Sequence, residues 1–345
     1  MCPAPVPRHA RSSGQVPCAE TSTCRWAAGR HVGRPDPCSC SQCHSPHLGV
    51  PSRVSGMTAG TMHWHDCRYD ASPWPPSLRC QEAGLNSFHQ EHTHRAVGVG
   101  ASGAVYAGVN MEFPGVPLSA SVHAEQFLVV NALQHGETAL RYIAVSAAPC
   151  GHCRQFMAEL NEVEELRISF GGTPPLSLDQ LLPHRFRPSD LLGSGPGLRP
   201  LLSGNLKAGG PGSSSDPAPD EALAAVDSSL DPGVLELTQA ALAAAARCHA
   251  PYSLCRSGVA LRLGAELAGP AVSGGYVESV AYNPSLGPLQ CALVCMRLRG
   301  HADWSRIEEV VLVEDRQASV SQEAVTAATL RAIAPRARLH IVHPR

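Results

Sequence analysis

The sequence predicts an α/β protein whose fold occurs twice along the chain, and three observations support this. Between residues 96 and about 165, short apolar runs of strand type alternate with longer runs of helix type, which is the order of an α/β layer arrangement. The second half shows the same order of runs at one offset. Side chains that can hold a metal stand at two predicted helix starts of the first half only.

The elements of the first half follow from their apolar pattern and their turn residues. Two strands joined by a Gly-containing turn come first, and a continuous apolar run then indicates a buried helix. A short apolar strand separates it from a second helix, which we expect to begin at Cys150 and to run to about Glu165. The predicted strands are 96–100, 103–109 and 142–146, and the first helix is 122–135.

The second half repeats the first at an offset of 167 residues, which places Gly275 on Gly108. One offset serves three elements, so a chance alignment of weak strands is the weaker interpretation. The second copy keeps none of the candidate ligands described below, and we predict that it has lost its metal site. The residues that align with those ligands and with their neighbouring acid are Gln290, Gln317, Val320 and Ala292.

Composition divides the chain into four parts. Residues 1–85 are rich in Pro, Ser, Arg, His and Cys without an apolar period, and they are predicted to be a disordered extension. Residues 86–192 carry the first copy of the fold, and residues 232–345 carry the second, which opens with an Ala-rich helix. Between them, residues 193–231 are rich in Gly, Pro and Ser, which is typical of a flexible linker.

The extension contains two features that could suggest other functions. Cys38, Cys40, Cys43 and His44 could form a metal cluster, but no second ligand pair follows at finger-like spacing, so coincidence is the preferred interpretation. The segment is Arg-rich and acid-poor, as organelle transit peptides are, yet its Pro and Gly content argues against the amphipathic helix they form. We therefore expect a cytoplasmic protein and keep organelle targeting as the alternative.

Charge and composition argue against two broad classes of protein. The net charge of −2 gives no basic surface of the kind that nucleic-acid binders need, so no nucleic-acid partner is expected. No apolar run is long enough to cross a bilayer, so no membrane partner is expected either. Eight of the 14 cysteines precede residue 81, which argues against a disulfide framework and favours a reducing compartment.

One histidine, one glutamate and two cysteines form the chemically informative pattern of this chain. His123 and Glu125 stand at the start of one predicted helix, and Cys150 and Cys153 at the start of the next. A Cys-x-x-Cys pair at a helix N-terminus directs both sulfurs at one ion and favours their thiolate form. With His123 as third ligand, zinc keeps a position for water, whose pKa falls from 15.7 to about 7. Glu125 can then move that water's proton to a substrate nitrogen.

A structural zinc site is the alternative to this catalytic one. It would need a fourth protein ligand, and the nearby candidates are His152, inside the tight Cys-x-x-Cys turn, and His135, further along the first helix. Neither is well placed along the sequence. Three ligands with an adjacent acid are typical of an open catalytic site, and the spacing of H-A-E and P-C-x-x-C is that of zinc-dependent base deaminases.

Together with segments 110–115 and 278–286, these two motifs resemble the cytidine deaminase family, in its longer homodimeric branch. The similarity runs from about residue 96 to residue 340. It implies a cytidine deaminase-like three-layer α/β/α fold with a mixed sheet, duplicated into an active first domain and a degenerate second one. The combination is specific, since either zinc motif alone is shared by several deaminase classes.

The resemblance also implies roles for single residues. The ligands implied for Zn²⁺ are His123, Cys150 and Cys153. Glu125 would carry protons to the ring N3 and then to the leaving amine. Asn110 and Glu112 would hold the sugar hydroxyls, for which an amide and a carboxylate offer both donors and acceptors; a polar strand end is the alternative for this pair. A homodimer is implied, in which the second domain helps to close the partner's active site.

The sequence departs from the family just before the first strand. Family members reach this strand through a helix and a segment like Pro-x-Ser-x-Phe/Tyr, whereas His92 stands here where an aromatic residue beside the base is expected. The second copy keeps such a segment at 250–253. A missing first helix would expose one face of the sheet and weaken the domain.

These observations predict the hydrolytic deamination of free cytidine and 2′-deoxycytidine to uridine and 2′-deoxyuridine, with release of ammonia, as in pyrimidine salvage. Zinc-activated hydroxide would attack C4. A polynucleotide deaminase is one alternative, but it would need a basic groove and stacking aromatics, and only 5% of this chain is aromatic. The other is an inactive pseudoenzyme that retains zinc but whose altered opening prevents folding or substrate binding.

Overall fold

The structure is a computed structural model that describes residues 94–193, 199–204, 231–267 and 269–344. The N-terminal extension 1–85, His92 and most of the predicted linker lie outside these residues, so the four-part division stays a prediction. Two mixed β-sheets with helices packed against them make up the described chain. The duplicated α/β fold is therefore confirmed.

The first half forms a five-stranded sheet. Its strands are β1 (Arg95–Gly100), β2 (Val105–Val109), β3 (Leu140–Val145), β4 (Arg167–Phe170) and β5 (Leu176–Ser177). Its helices are α1 (Ala124–Gln134), α2 (Gly151–Met157), α3 (Leu178–Leu181) and α4 (Pro188–Leu192). The strand order is β2-β1-β3-β4-β5, in which β1 is antiparallel to both neighbours and β3 is parallel to β4.

The second half forms a four-stranded sheet on the same plan. Its strands are β6 (Ser257–Leu263), β7 (Val272–Gly275), β8 (Ile307–Glu314) and β9 (Arg338–Val342). Its helices are α5 (Pro232–Ala246), α6 (Pro288–Leu298) and α7 (Glu323–Ile333). The order β7-β6-β8-β9 repeats the directions of the first sheet, and β6 even repeats the register shift of β1 at its end.

Two strand pairs keep the predicted offset of 167, β2 with β7 and β3 with β8. The other strands and the helices do not, since β1 and β6 begin 162 residues apart and β4 and β9 begin 171 apart. Strands β3 and β8 begin 167 residues apart, at Leu140 and Ile307. Helix α1 is capped by His123 and α6 by Gly287, which is an offset of 164, and α2 is capped by Cys150 and α7 by Gln322, an offset of 172. Loops between sheet and helix change length without disturbing the sheet, and this explains the difference.

The alignment of single site positions in the second half was therefore wrong. Gly287 stands where His123 stands in the first half, and Gln322 stands where Cys150 does. By the same comparison Leu289 takes the place of Glu125. The residues misassigned by the constant offset are Gln290, Gln317, Val320 and Ala292. Neither glycine nor glutamine supplies a zinc ligand of the usual kind, so the predicted loss of chemistry in this half does not depend on that alignment.

Helix α2 is shorter than predicted. It ends at Met157 rather than near Glu165, and the chain continues in tighter turns, in which Glu159 N and Leu160 N donate to carbonyls three residues earlier. Glu162 then takes a left-handed backbone conformation, φ 53°, which a helix does not accommodate. This early end leaves room for β4, a strand that the apolar pattern did not reveal.

The two halves pack through α1 and α6 in one continuous core. Almost all of α1 is buried, from Ala124 to Leu133, as the continuous apolar run predicts. Two glycines let the helices lie close on their sheets: a Cβ atom on Gly108 would lie 2.0 Å from Ala124 O, and one on Gly274 would lie 2.2 Å from Ala292 N. The candidate site thus rests on a helix that is enclosed on all sides.

The outer face of the second sheet is covered by α5, whose Leu237 and Ala241 pack on Ala260 and Val311. This half is therefore layered α/β/α. On the first sheet the corresponding strand, β1, places Val97 in an apolar cluster with neighbouring β1 and β2 side chains. No described helix combines the length and apolar character that crossing a bilayer requires.

Candidate metal centre

His123 occupies the N-cap of α1. Its backbone N–H donates to Gln126 Oε1 at 3.1 Å, so the third residue of the helix fixes the residue that precedes it. The N-cap residue is extended rather than helical, with φ −75° and ψ 156°. This conformation turns the imidazole away from the helix, toward the start of α2.

Cys150 and Cys153 meet this imidazole at the start of α2. Cys150 is the N-cap of that helix, and Cys153 lies one turn further, fully buried. His123 Nδ1 lies 3.4 Å from Cys150 Sγ and 3.3 Å from Cys153 Sγ. A tetrahedral zinc ion with ordinary bond lengths separates such nitrogen and sulfur ligands by about 3.6 Å. The three side chains therefore fit a zinc ion closely.

The protonation of these groups is strongly coupled. Hydrogen bonds from the Cys153 thiol and from His123 lower the pKa of Cys150 to about 3. Donating its proton to Cys150 raises the pKa of Cys153, and burial raises it further. The bond to Cys150 also raises the pKa of His123. Without metal, one thiolate and one thiol thus share a proton, and metal binding would release it.

Glu125 lies in the first turn of α1 and is 5% exposed. Burial raises the pKa of its carboxyl, because the charged form loses hydration in this environment. A carboxyl group with a raised pKa, next to a metal site, is a better base than an ordinary carboxylate and can serve in proton transfer.

His152 lies closer to the site than its position in the tight turn suggested. Ligand atoms of His123, His152 and Cys153 lie within 4.8 Å of one another. The His152 ring is held from the other side, since its Nε2 lies 3.0 Å from Asn283 O. Its Nδ1 is buried and has no hydrogen-bond partner among the described residues. His135 is the C-cap of α1, about 18 Å from His123 along the helix, and cannot reach the site.

Asn110 and Glu112 follow β2 and lie beside the metal site. Asn110 Nδ2 donates to Glu112 Oε1 at 3.0 Å, so the amide and the carboxylate form a pair. The negative charge of Glu112 is close enough to contribute to the raised pKa of His123. The structure thus brings Glu125, Asn110 and Glu112 close to the three predicted ligands, and leaves His135 apart from them.

Gln126, Asn283 and Pro284 were not assigned to the site from the sequence. Gln126 is fully buried, and its Nε2 donates to Pro284 O at 2.9 Å, in addition to the bond that its oxygen accepts from His123. Residues 282–284 therefore reach from the second half to the metal centre. The segment 278–286 stood out in the sequence, but nothing there indicated which part of the fold it contacts.

Comparisons with known proteins agree with this geometry. A family model described as "Cytidine and deoxycytidylate deaminase zinc-binding region" matches residues 79–169, and a second model with the same description matches residues 178–327. The two matches cover both halves of the described chain.

Similar proteins bear the same description. The chain is 43% identical over 267 residues to "Cytidine deaminase 1" of Arabidopsis thaliana, which covers 72% of this chain and 82% of the relative. It is 43% identical over 238 residues to "Cytidine deaminase" of Yersinia pestis (strain Pestoides F), covering 69% and 71%. A crystal structure of cytidine deaminase from Mycobacterium tuberculosis is 29% identical, with a TM-score of 0.25, and covers 27% of this chain and 77% of that one.

Proposed function

This chain belongs to the cytidine and deoxycytidylate deaminase family, and we propose that it hydrolyses cytidine and 2′-deoxycytidine to uridine and 2′-deoxyuridine, releasing ammonia. The observation that carries the proposal is the convergence of three side chains beside a buried acid. His123 Nδ1 lies within 3.4 Å of both sulfurs of the Cys-x-x-Cys pair. Glu125 adjoins them in the first turn of α1.

In this mechanism, His123, Cys150 and Cys153 would hold the zinc ion, which would supply an activated water molecule as the nucleophile for C4 of the base. Glu125 takes a proton from this water and delivers it to the ring N3. It then carries a second proton, from the hydroxyl added at C4, to the amine; the C4–N bond breaks and the C4 carbonyl forms, so that cytidine and water give uridine and ammonia. The raised pKa that burial gives Glu125 supports the first of these transfers, because a more basic carboxylate accepts a proton from water more readily.

Asn110 and Glu112 hold the sugar in this proposal. Their mutual bond of 3.0 Å fixes a donor and an acceptor side by side at the end of β2, close to His123. A ribose edge offers hydroxyls that both donate and accept, so the pair suits a nucleoside better than a free base. The same pair disfavours a polynucleotide substrate, and the net charge of −2 argues in the same direction.

The resemblance to the homodimeric branch supports a homodimer and a role in pyrimidine salvage. The cysteine usage supports the cytoplasm as the location of the chain, with organelle targeting as the alternative. The alternative of an inactive pseudoenzyme rests on the altered segment before β1, in which His92 replaces an expected aromatic residue.

The deciding experiment follows the ultraviolet absorbance of cytidine when it is mixed with the purified full-length protein. We expect conversion to uridine, and we expect Glu125→Ala to abolish it while zinc stays bound, because Glu125 is not a ligand. Metal analysis of both proteins is the control. Absence of conversion by a folded, zinc-loaded wild-type protein would favour the pseudoenzyme, and loss of zinc from Glu125→Ala would give this residue a structural role.

A further inference from the structure

The second half carries no metal ligands in its corresponding positions, yet it contacts both parts of the metal centre. We propose that residues 282–284 of the second half position the zinc ligands of the first half, so that the degenerate domain contributes to metal retention within the same chain. The inference rests on the metal site of the proposed function but not on its substrate.

Two successive carbonyl groups make the contacts. Asn283 O lies 3.0 Å from His152 Nε2, and since a carbonyl only accepts, the ring nitrogen donates. Pro284 O accepts from Gln126 Nε2 at 2.9 Å. One dipeptide of the second half thus binds a side chain from α2 and a side chain from α1, the two helices whose starts hold the ligands.

Each of these side chains belongs to a residue that is adjacent in sequence or hydrogen-bonded to a proposed zinc ligand. His152 lies between Cys150 and Cys153, so fixing its ring fixes the turn that directs both sulfurs. Gln126 accepts from the backbone N–H of His123 with its oxygen while its nitrogen donates to the second half. Groups that hold ligands from behind in this way set the orientation of a metal site, although they never touch the ion.

The 282–284 loop is itself held firmly. Tyr282 has φ 62°, a left-handed conformation that costs energy for a residue with a side chain, and the turn persists because its surroundings impose it. Tyr282 N donates to Ser279 O at 2.8 Å. Two residues before the loop, Val280 N donates to the buried Glu159 Oε1 at 2.6 Å. The carbonyls are therefore presented from a braced turn.

Equivalent hydrogen bonds made by the two halves explain why the second half supports the ligands of the first. Gln290 in α6 occupies the same helical position as Gln126 in α1, and it donates to Ala120 O at 2.7 Å. The two halves thus exchange equivalent bonds. Only the bond of Gln126 supports a metal ligand, because Gln126 also accepts from that ligand's backbone N–H and the proposed ligands all lie in the first half. After the fold was duplicated and the second copy lost its ligands, the hydrogen bonds between the copies remained and support the metal site of the first copy.

The test measures how fast zinc leaves the protein in an excess of a coloured chelator, with the full-length chain loaded with zinc. His152→Leu removes the donor to Asn283, and we expect release about ten- to a hundredfold faster, the usual cost of losing a group that holds a ligand. His152→Gln restores an N–H donor of similar reach, and we expect release near the wild-type rate.

A matched control separates ligand positioning from general loosening of the contact between halves. Trp304→Leu removes the edge-to-face contact between the Trp304 and Phe113 rings, whose centroids lie 5.8 Å apart. This contact also joins the halves, but it involves neither the 282–284 loop nor a ligand. We expect the denaturation midpoint of this variant to fall while its zinc release stays unchanged. Faster zinc release in Trp304→Leu would show that any loosening suffices and would overturn the proposal.

Two further outcomes would also overturn it. Unchanged zinc release in His152→Leu would show that the Asn283 contact is irrelevant to the metal. Equally fast release in His152→Leu and His152→Gln would indicate that the imidazole is itself a ligand. None of these readouts depends on turnover. If the zinc-release results are as expected but the protein does not convert cytidine, the proposed function is contradicted and the role of residues 282–284 is not.

Discussion

At the scale of single residues, the Cys150 thiol carries the clearest chemical signal, because its hydrogen bonds hold its pKa at about 3. Cys150→Ala removes one of three ligands, and we expect both zinc and activity to be lost. Zinc per chain and deamination of cytidine measure this directly. Cys248→Ala, which removes a thiol at the end of α5, serves as control and should keep both. Activity in Cys150→Ala would contradict the ligand assignment.

The residues that perform chemistry could be predicted from the sequence, because each chemical role permits few residue types at few spacings. His123, Cys150 and Cys153 are such residues, and the structure brings them together. Residues that act by position could not be found in this way. Gln126 and His152 owe their importance to carbonyl oxygens of Asn283 and Pro284, and a backbone carbonyl belongs to every residue type.

At the scale of elements, the close contact of β2 with α1 sets the position of the catalytic helix. A Cβ atom on Gly108 would lie 2.0 Å from Ala124 O and 2.7 Å from Leu128 N, both backbone atoms that cannot move aside. We therefore expect Gly108→Ala to displace α1, to lower the unfolding free energy by about 3 kcal/mol or more, and to reduce activity. Urea denaturation and a cytidine assay measure these effects.

Gly151 provides the matched control for this substitution. It lies in the first turn of α2, beside Cys150, but a Cβ atom there would meet no described atom within 4 Å. Gly151→Ala should therefore leave stability within about 0.5 kcal/mol of the wild type or raise it slightly, since alanine favours helices. Equal stability of the Gly108 and Gly151 variants would show that α1 is not constrained by the strand below it.

The positions of helices and strands with a sustained apolar pattern could be predicted from the sequence. The ends of elements that are terminated by local backbone conformation could not. Helix α1 and strands β1 to β3 follow their patterns, because burial on two sides demands apolar residues throughout. The end of α2 depends on turns after Met157 and on the left-handed Glu162, neither of which leaves a mark in the sequence. The position of α6 relative to β7 depends on a loop length, which a constant offset cannot describe.

At the scale of the whole molecule, one buried carboxylate joins the halves. Glu159 is 1% exposed and accepts from the Tyr252 hydroxyl at 2.7 Å and from Val280 N at 2.6 Å, with His249 Nε2 at 3.3 Å. Glu159→Ala would leave these groups buried without an acceptor, and we expect the unfolding free energy to fall by about 3–5 kcal/mol. Denaturation in urea, followed by circular dichroism, measures this loss.

An exposed glutamate gives the comparison. Glu165 forms an ion pair of 2.7 Å with Arg141, but its side chain is 65% exposed, so water screens the pair. Glu165→Ala should cost less than about 1 kcal/mol. If both variants lost the same small amount, the junction of the halves would not depend on Glu159, and the core shared by α1 and α6 would suffice.

The helix starts of the second half also make this chain a scaffold for protein engineering. A Cβ atom on Gly287 would lie 3.4 Å from Gln322 Oε1, so side chains at these two N-caps meet much as those of His123 and Cys150 do. Gly287→His combined with Gln322→Cys would bring an imidazole and a thiol together on a backbone that duplication has already shaped for them. Cobalt added to such a variant would report each new coordination bond by its colour, at two N-caps that in the native chain supply neither an imidazole nor a thiol.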